Sequence, residues 1–132
     1  MGYLKKIILH VFLTGLWINF SESVRWVLAA KSYWDEKYQS MGLVFLEEPI
    51  NLAVWMTWGF LFAAIIFVLS KKFSLVQTAL MSWFVVFVML WIVLWNVGIL
   101  PAGMLWIVAP LSLLEAFVGA FICKKFSAEQ QI

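Results

Sequence analysis

The chain has 132 residues, 65% hydrophobic and 12% charged, with nine Trp, twelve Phe, a formal net charge of +2 and a mean hydropathy of +0.99. A water-soluble domain of this size cannot hide so much apolar side chain, so lipid is the expected solvent. The nine Lys and Arg residues stand scattered at segment ends without forming a basic patch, which argues against a nucleic-acid partner. Cys123 alone makes no intramolecular disulfide or cysteine-rich metal site, and His10 alone makes no multi-imidazole zinc or haem site; neither a metal nor a cofactor is expected.

In chain order, the first apolar run covers 7–30 behind Lys5 and Lys6. It is longer than the apolar region of a secretion signal, and Arg25 and Trp26 occupy the place of a cleavage site, so it reads as a retained helix. Residues 31–50 form the one long connection, polar at first and then Met41 to Leu46, a stretch suited to lying along the membrane interface. Further runs cover 51–70, 75–96 and 102–123, separated by Lys71–Ser74 and Gly98–Pro101, both suited to tight antiparallel hairpins. Each run reaches the ~20 residues that a helix needs to cross a bilayer. The expected fold is therefore an all-α integral membrane protein, a single domain forming an antiparallel bundle of four transmembrane helices.

Lysine pairs at 5 and 6, 71 and 72, and 124 and 125 fall on one side of such a bundle. The opposite side carries Lys31 and Lys37 against Asp35, Glu36, Glu47 and Glu48. By the positive-inside rule both termini are expected in the cytoplasm and the 31–50 loop outside, in the plasma (inner) membrane. Residues 69–74 (LSKKFS) echo 122–127 (ICKKFS), but the tendency of helices to end in lysine on the cytoplasmic side explains this more simply than a duplicated hairpin does.

Polar residues inside the runs mark where function is expected. At ~1.5 Å rise per residue, counting from residue 7 puts Thr14 about 10 Å, Asn19 about 18 Å, Glu22 about 22 Å and Arg25 about 27 Å above the cytoplasmic boundary. Gly15, Asn19, Glu22, Arg25 and Trp26 share one broad helical face, and Glu22 and Arg25, three apart, are spaced to pair. Counting back from residue 123 puts Glu115 about 12 Å up, about 10 Å from the level of Glu22 and with no basic residue at its depth, so it is expected to need water or a proton. Pro110 and Gly119 on the same run favour a kink and a close helix contact. Asn51 and Asn96 lie near the outer boundary, where helix capping or interhelical hydrogen bonding competes with ligand contact. Trp55, Trp58 and Trp91 lie at similar depth, as either an aromatic pocket wall or an interfacial belt.

No catalytic constellation, nucleotide loop or metal cluster of known spacing is present, and the residues are compatible with an enzyme or a non-catalytic protein. Ionised side chains cost about 2.5–3.5 kcal/mol near a bilayer centre, so Glu22, Arg25 and Glu115 must face the bundle or water. The leading expectation is a protein that binds or transports a small solute or proton along this polar series, as a homo-oligomer because four helices form a narrow bundle. The alternative is an enzyme or binding protein for a lipophilic small-molecule or lipid ligand taken from the bilayer, with Glu22 or Glu115 as general acid. A third reading is an accessory subunit whose polar face docks a larger membrane partner.

Overall fold

The structure is a computed structural model that describes residues 2–129, with side chains described through residue 125. Among the described residues it is all-helical, without strands, and four helices are long and apolar enough to cross a membrane: α1 (Gly2–Ser40), α2 (Pro49–Ser70), α3 (Leu75–Asn96) and α4, whose membrane-length part is Leu105–Lys125 and which continues to Glu129. Neighbours run antiparallel. The end holding the Lys71–Lys72 turn is called the lysine end, and the other the loop end.

α1 departs from the sequence expectation. The helix does not stop at residue 30 but passes through a π-helical turn at Trp26–Ala30 and continues as α-helix over Lys31–Ser40. The expected 31–50 loop is therefore half helix, and the non-helical connection is only 41–48. No Gly or Pro interrupts residues 31–40, so nothing in the backbone chemistry stops the helix once it leaves the apolar run. It ends where Gly42 adopts φ +74°, with Gly42 N donating to Gln39 O at 3.0 Å and Leu43 N to Tyr38 O at 2.8 Å, a glycine C-terminal cap. Gly98, at φ +80°, ends α3 in the same way.

The N-termini are set by reciprocal side-chain caps. Ser74 Oγ accepts from Gln77 N at 3.2 Å while Gln77 Oε1 accepts from Ser74 N at 3.1 Å, and Asn51 Oδ1 accepts from Glu48 N at 3.2 Å beside Pro49 at the first position of α2. α4 begins at Leu105, after a turn over 102–104. The echoed lysine segments take different structures: 71–74 is the turn between α2 and α3, whereas α4 runs helically through 122–127.

Small residues let the helices approach closely. A Cβ on Gly15 would lie 2.2 Å from the Phe60 ring, and one on Gly59 would lie 2.7 Å from the Asn19 side chain, so α1 and α2 cross at these two glycines. Gly119 brings α4 against Ile66 and Thr14. The lysine-end stretch of α3, Leu75–Trp83, packs on both α2 and α4. Beyond it a second π-helical turn, Phe84–Val88, intervenes, and the backbone of Met89–Asn96 stands away from both neighbours. The space so opened holds the site.

Candidate functional site

Helix register explains which charges meet. Thr14 Oγ1 and Cys123 Sγ are 3.3 Å apart, which sets residue 14 of α1 level with residue 123 of α4. Eight residues onward along α1 is Glu22, and eight residues back along the antiparallel α4 is Glu115. The two acids therefore share a level, instead of differing by about 10 Å as counting from the ends of the apolar runs suggests. That count fails because the first apolar run begins seven residues before Thr14, about 10 Å beyond the level of Cys123, so the two runs do not share a boundary. The second expectation to fall is that Glu115 has no cation at its depth. Side chains tilt toward the N-terminus of their own helix, so Arg25 leans toward the lysine end and Glu115 toward the loop end, and they meet. Arg25 Nη1 lies 3.8 Å from Glu115 Oε2, and Arg25 Nη2 donates to Glu22 Oε1.

The result is a guanidinium held between two carboxylates. The Arg25 guanidinium also lies over the Phe87 ring, 5.2 Å from its centroid. Glu115 is fully buried; Arg25 Nη1 and both Glu115 carboxylate oxygens make no hydrogen bond among the described residues. Buried ionic groups whose hydrogen-bonding capacity is left incomplete are costly and commonly mark a functional site. Trp17 Nε1 donates to the Glu115 backbone carbonyl at 3.0 Å, and Trp83 Nε1 to Ser112 Oγ at 2.9 Å, fixing α4 against α1 and α3 around the triad.

Above this triad, toward the loop end, lies a cavity of about 470 Å³. Glu22 and Arg25 are its charged wall residues, and Glu115 sits behind Arg25. One wall is a single stripe of α1, Glu22, Trp26, Ala30, Trp34 and Tyr38, each four residues after the last. Steps of four drift around a helix of 3.6 residues per turn, and the wider π turn at Trp26–Ala30 takes up part of that drift. The connection folds back so that Phe45 packs on Trp26 at 4.8 Å and on Tyr38 at 5.0 Å between ring centroids, closing this wall. Lys31 ties the same region with ion pairs to Glu47 at 2.7 Å and Asp35 at 3.2 Å.

The opposite wall is an aromatic ladder from α2 and α3. Trp58, Phe87 and Trp91 succeed one another with centroid separations of 5.6 Å, and Trp55 meets Trp58 edge-on at 6.0 Å. Val54, Trp55 and Leu90 form an exposed rim, and Met104 of the turn before α4 and Val108 of α4 complete the wall.

The structure thus brings six of the sequence-derived candidates together: Glu22, Arg25, Trp55, Trp58 and Trp91 in the cavity wall, with Glu115 behind it. It leaves three apart. Asn19 donates to Gly15 O at 3.0 Å and to Met56 O at 3.4 Å, joining α1 to α2; Asn51 caps α2; and Asn96 is exposed at the end of α3. Trp34, Tyr38, Phe45 and Phe87 are site residues that the sequence reading did not assign to it, and Trp26, on the same face of α1 as Glu22 and Arg25, joins them. The four-residue spacing from Glu22 to Tyr38 is the signal that finds most of them, once residues 31–40 are read as helix.

No group of three or more metal-ligating side chains occurs among the described residues. No protein-family model, curated protein or solved structure matches the chain.

Proposed function

We propose that the protein is a membrane-embedded binding protein for a small lipophilic or amphipathic molecule, held in the aromatic cavity with its polar end at the Glu22–Arg25–Glu115 triad. The observation that carries this reading is one cavity in which successive Trp and Phe rings in edge-on and tilted contact face a charged group lacking full hydrogen-bond partners. A volume of about 470 Å³ falls in the range of small-molecule sites, which are mostly apolar with a few convergent polar groups. The separation of α2 from α3 at the loop end, beside the exposed Val54, Trp55 and Leu90, supports lateral admission of the ligand from the bilayer. With both termini cytoplasmic, as the lysine distribution suggests, the cavity lies in the outer leaflet of the plasma (inner) membrane. The test is native mass spectrometry of gently extracted protein beside a Trp58→Ala, Trp91→Ala variant. A retained small molecule that the double variant loses supports the reading; repeated recovery of empty wild-type protein, with no binding of any added lipophile, overturns it.

Transport of a small solute or proton is the second reading, favoured by one further observation. Ser82, Thr14 and Thr78 are buried polar residues on the lysine-end side of the triad, and Ser112 is buried one turn from Glu115 on the loop-end side. The hydroxyls of Ser112 and Ser82 donate to carbonyls of their own helices, at 2.9 and 3.2 Å, which gives them a packing role as well. Equal fluxes in vesicles containing wild type, Glu22→Gln or Glu115→Gln protein would remove the transport reading and leave the binding reading untouched.

A further inference from the structure

The charge and wall chemistry of the cavity specify its ligand more narrowly, on the reading that the cavity is a ligand site. The triad sets two carboxyl groups against one guanidinium, so it holds no cationic charge in excess. The guanidinium already lies between the two acids, with Nη2 donating to Glu22, Nη1 facing Glu115 without a hydrogen bond, and its central carbon over Phe87. Its side chain is 8% exposed, whereas that of Glu22 is 20% exposed, so the charged group most open to the cavity is a carboxylate.

The surroundings have the same sign. Six of the seven acidic residues, Glu22, Asp35, Glu36, Glu47, Glu48 and Glu115, lie in the loop-end half, against three of the nine basic residues, Arg25, Lys31 and Lys37. Lys31, which lies over the Trp26 ring, is itself held between Asp35 and Glu47. A concave site with low-dielectric walls and an excess of one sign concentrates ions of the other sign. The walls act in the same direction, because the faces of Trp, Tyr and Phe rings attract cations. Two wall rings already do so: Arg25 sits over Phe87 and Lys31 over Trp26, at 5.2 and 5.9 Å from the ring centroids. Among the described contacts no cation covers Trp34, Trp55, Trp58 or Trp91.

We infer that the cavity binds an organic cation, an amine or quaternary ammonium with an apolar portion, whose charged head lies among the Trp rings beside Glu22. Its apolar portion packs on Trp58, Trp91 and Val108. An anion would meet Glu22 first, and the guanidinium behind it is already set between two carboxyl groups. A neutral lipophile would gain from the walls and nothing from the charge.

Three probes of closely similar shape separate these cases: phenyltrimethylammonium, the neutral isostere tert-butylbenzene, and the anion benzenesulfonate. Each is titrated into wild-type protein in nanodiscs of zwitterionic lipid, with Trp fluorescence as readout and protein-free nanodiscs as the partition control. The expected result is at least tenfold tighter binding of the ammonium than of tert-butylbenzene, no saturable binding of benzenesulfonate, and loss of most of the tenfold preference in Glu22→Gln. Equal or tighter binding of the neutral isostere or of the anion overturns the cation assignment while leaving the cavity reading standing. Failure of all three to bind overturns both. The wild-type comparison decides the question even where Glu22→Gln does not fold.

Discussion

Arg25 of α1 and Glu115 of α4 face each other 3.8 Å apart, nine-tenths or more buried, and Glu22 completes the pair from the other side of the guanidinium. Removing one partner of a buried ion pair costs about 3–5 kcal/mol, because the remaining charge is left uncompensated. Arg25→Gln is therefore expected to destabilise the protein by roughly 3 kcal/mol or more. In that background a second change, Glu115→Gln, should restore part of the loss, since it removes the acid that Arg25 neutralised. Denaturant unfolding in detergent micelles measures both. If the two changes simply add, Arg25 and Glu115 do not interact.

The ring beneath the guanidinium provides the next test. Phe87 contacts Arg25 on one side and the rings of Trp58, Phe62 and Trp91 on others, so Phe87→Leu removes a cation–π contact and interrupts the aromatic ladder. A loss of about 1–3 kcal/mol is expected from these contacts together. A specific readout accompanies it: the near-ultraviolet circular dichroism of Trp58 and Trp91 should change strongly, while far-ultraviolet helix content stays constant. An unchanged aromatic spectrum would mean that the ladder is not continuous through Phe87.

The extent to which these features are legible in sequence depends on which physical quantity carries them. Four apolar runs and their glycine and lysine boundaries are visible because membrane thickness and helix rise fix the length of a span. The Glu22–Arg25 pair is visible too, since it is local to one turn of helix. The Arg25–Glu115 contact is not, because it depends on how far α1 slides along α4. Thr14 against Cys123 sets that slide, and neither residue has a sequence signature for it. The polarity of Lys31–Ser40 disguises a helix, since hydropathy reports the solvent expected for a segment and not its backbone. Reading it as loop hides Trp34 and Tyr38 from the site. The two π turns have no marker in the residues WVLAA and FVVFV.

The crossing of α1 and α2 depends on the absence of a single methyl group. A Cβ at Gly15 would lie 2.2 Å from Phe60 Cδ1, far inside any real contact, so Gly15→Ala forces the ring or the helix aside. Overpacking of this kind costs about 1–3 kcal/mol. The double variant Gly15→Ala, Phe60→Ala should regain part of that cost, because the truncated side chain leaves room for the new methyl group. A double variant no more stable than the sum of its parts would show that the clash is relieved elsewhere.

Cys123 reports on the junction of α1, α2 and α4. Its side chain is fully buried and its sulfur contacts Thr14, so a membrane-permeant maleimide should label it slowly in the folded protein and rapidly after denaturation. Gly119 lies one turn before it, where a Cβ would sit 3.0 Å from Ile66 and 3.4 Å from Thr14. Gly119→Leu is therefore expected to push the three helices apart and accelerate labelling in the folded state. The control is Gly98→Ala, at a position with φ +80° and open space around the added carbon. That change strains the backbone by about 1 kcal/mol without touching the junction. It should lower overall stability yet leave Cys123 protected under native conditions. Equal acceleration by both variants would mean that labelling follows global unfolding and that the junction has no separate opening.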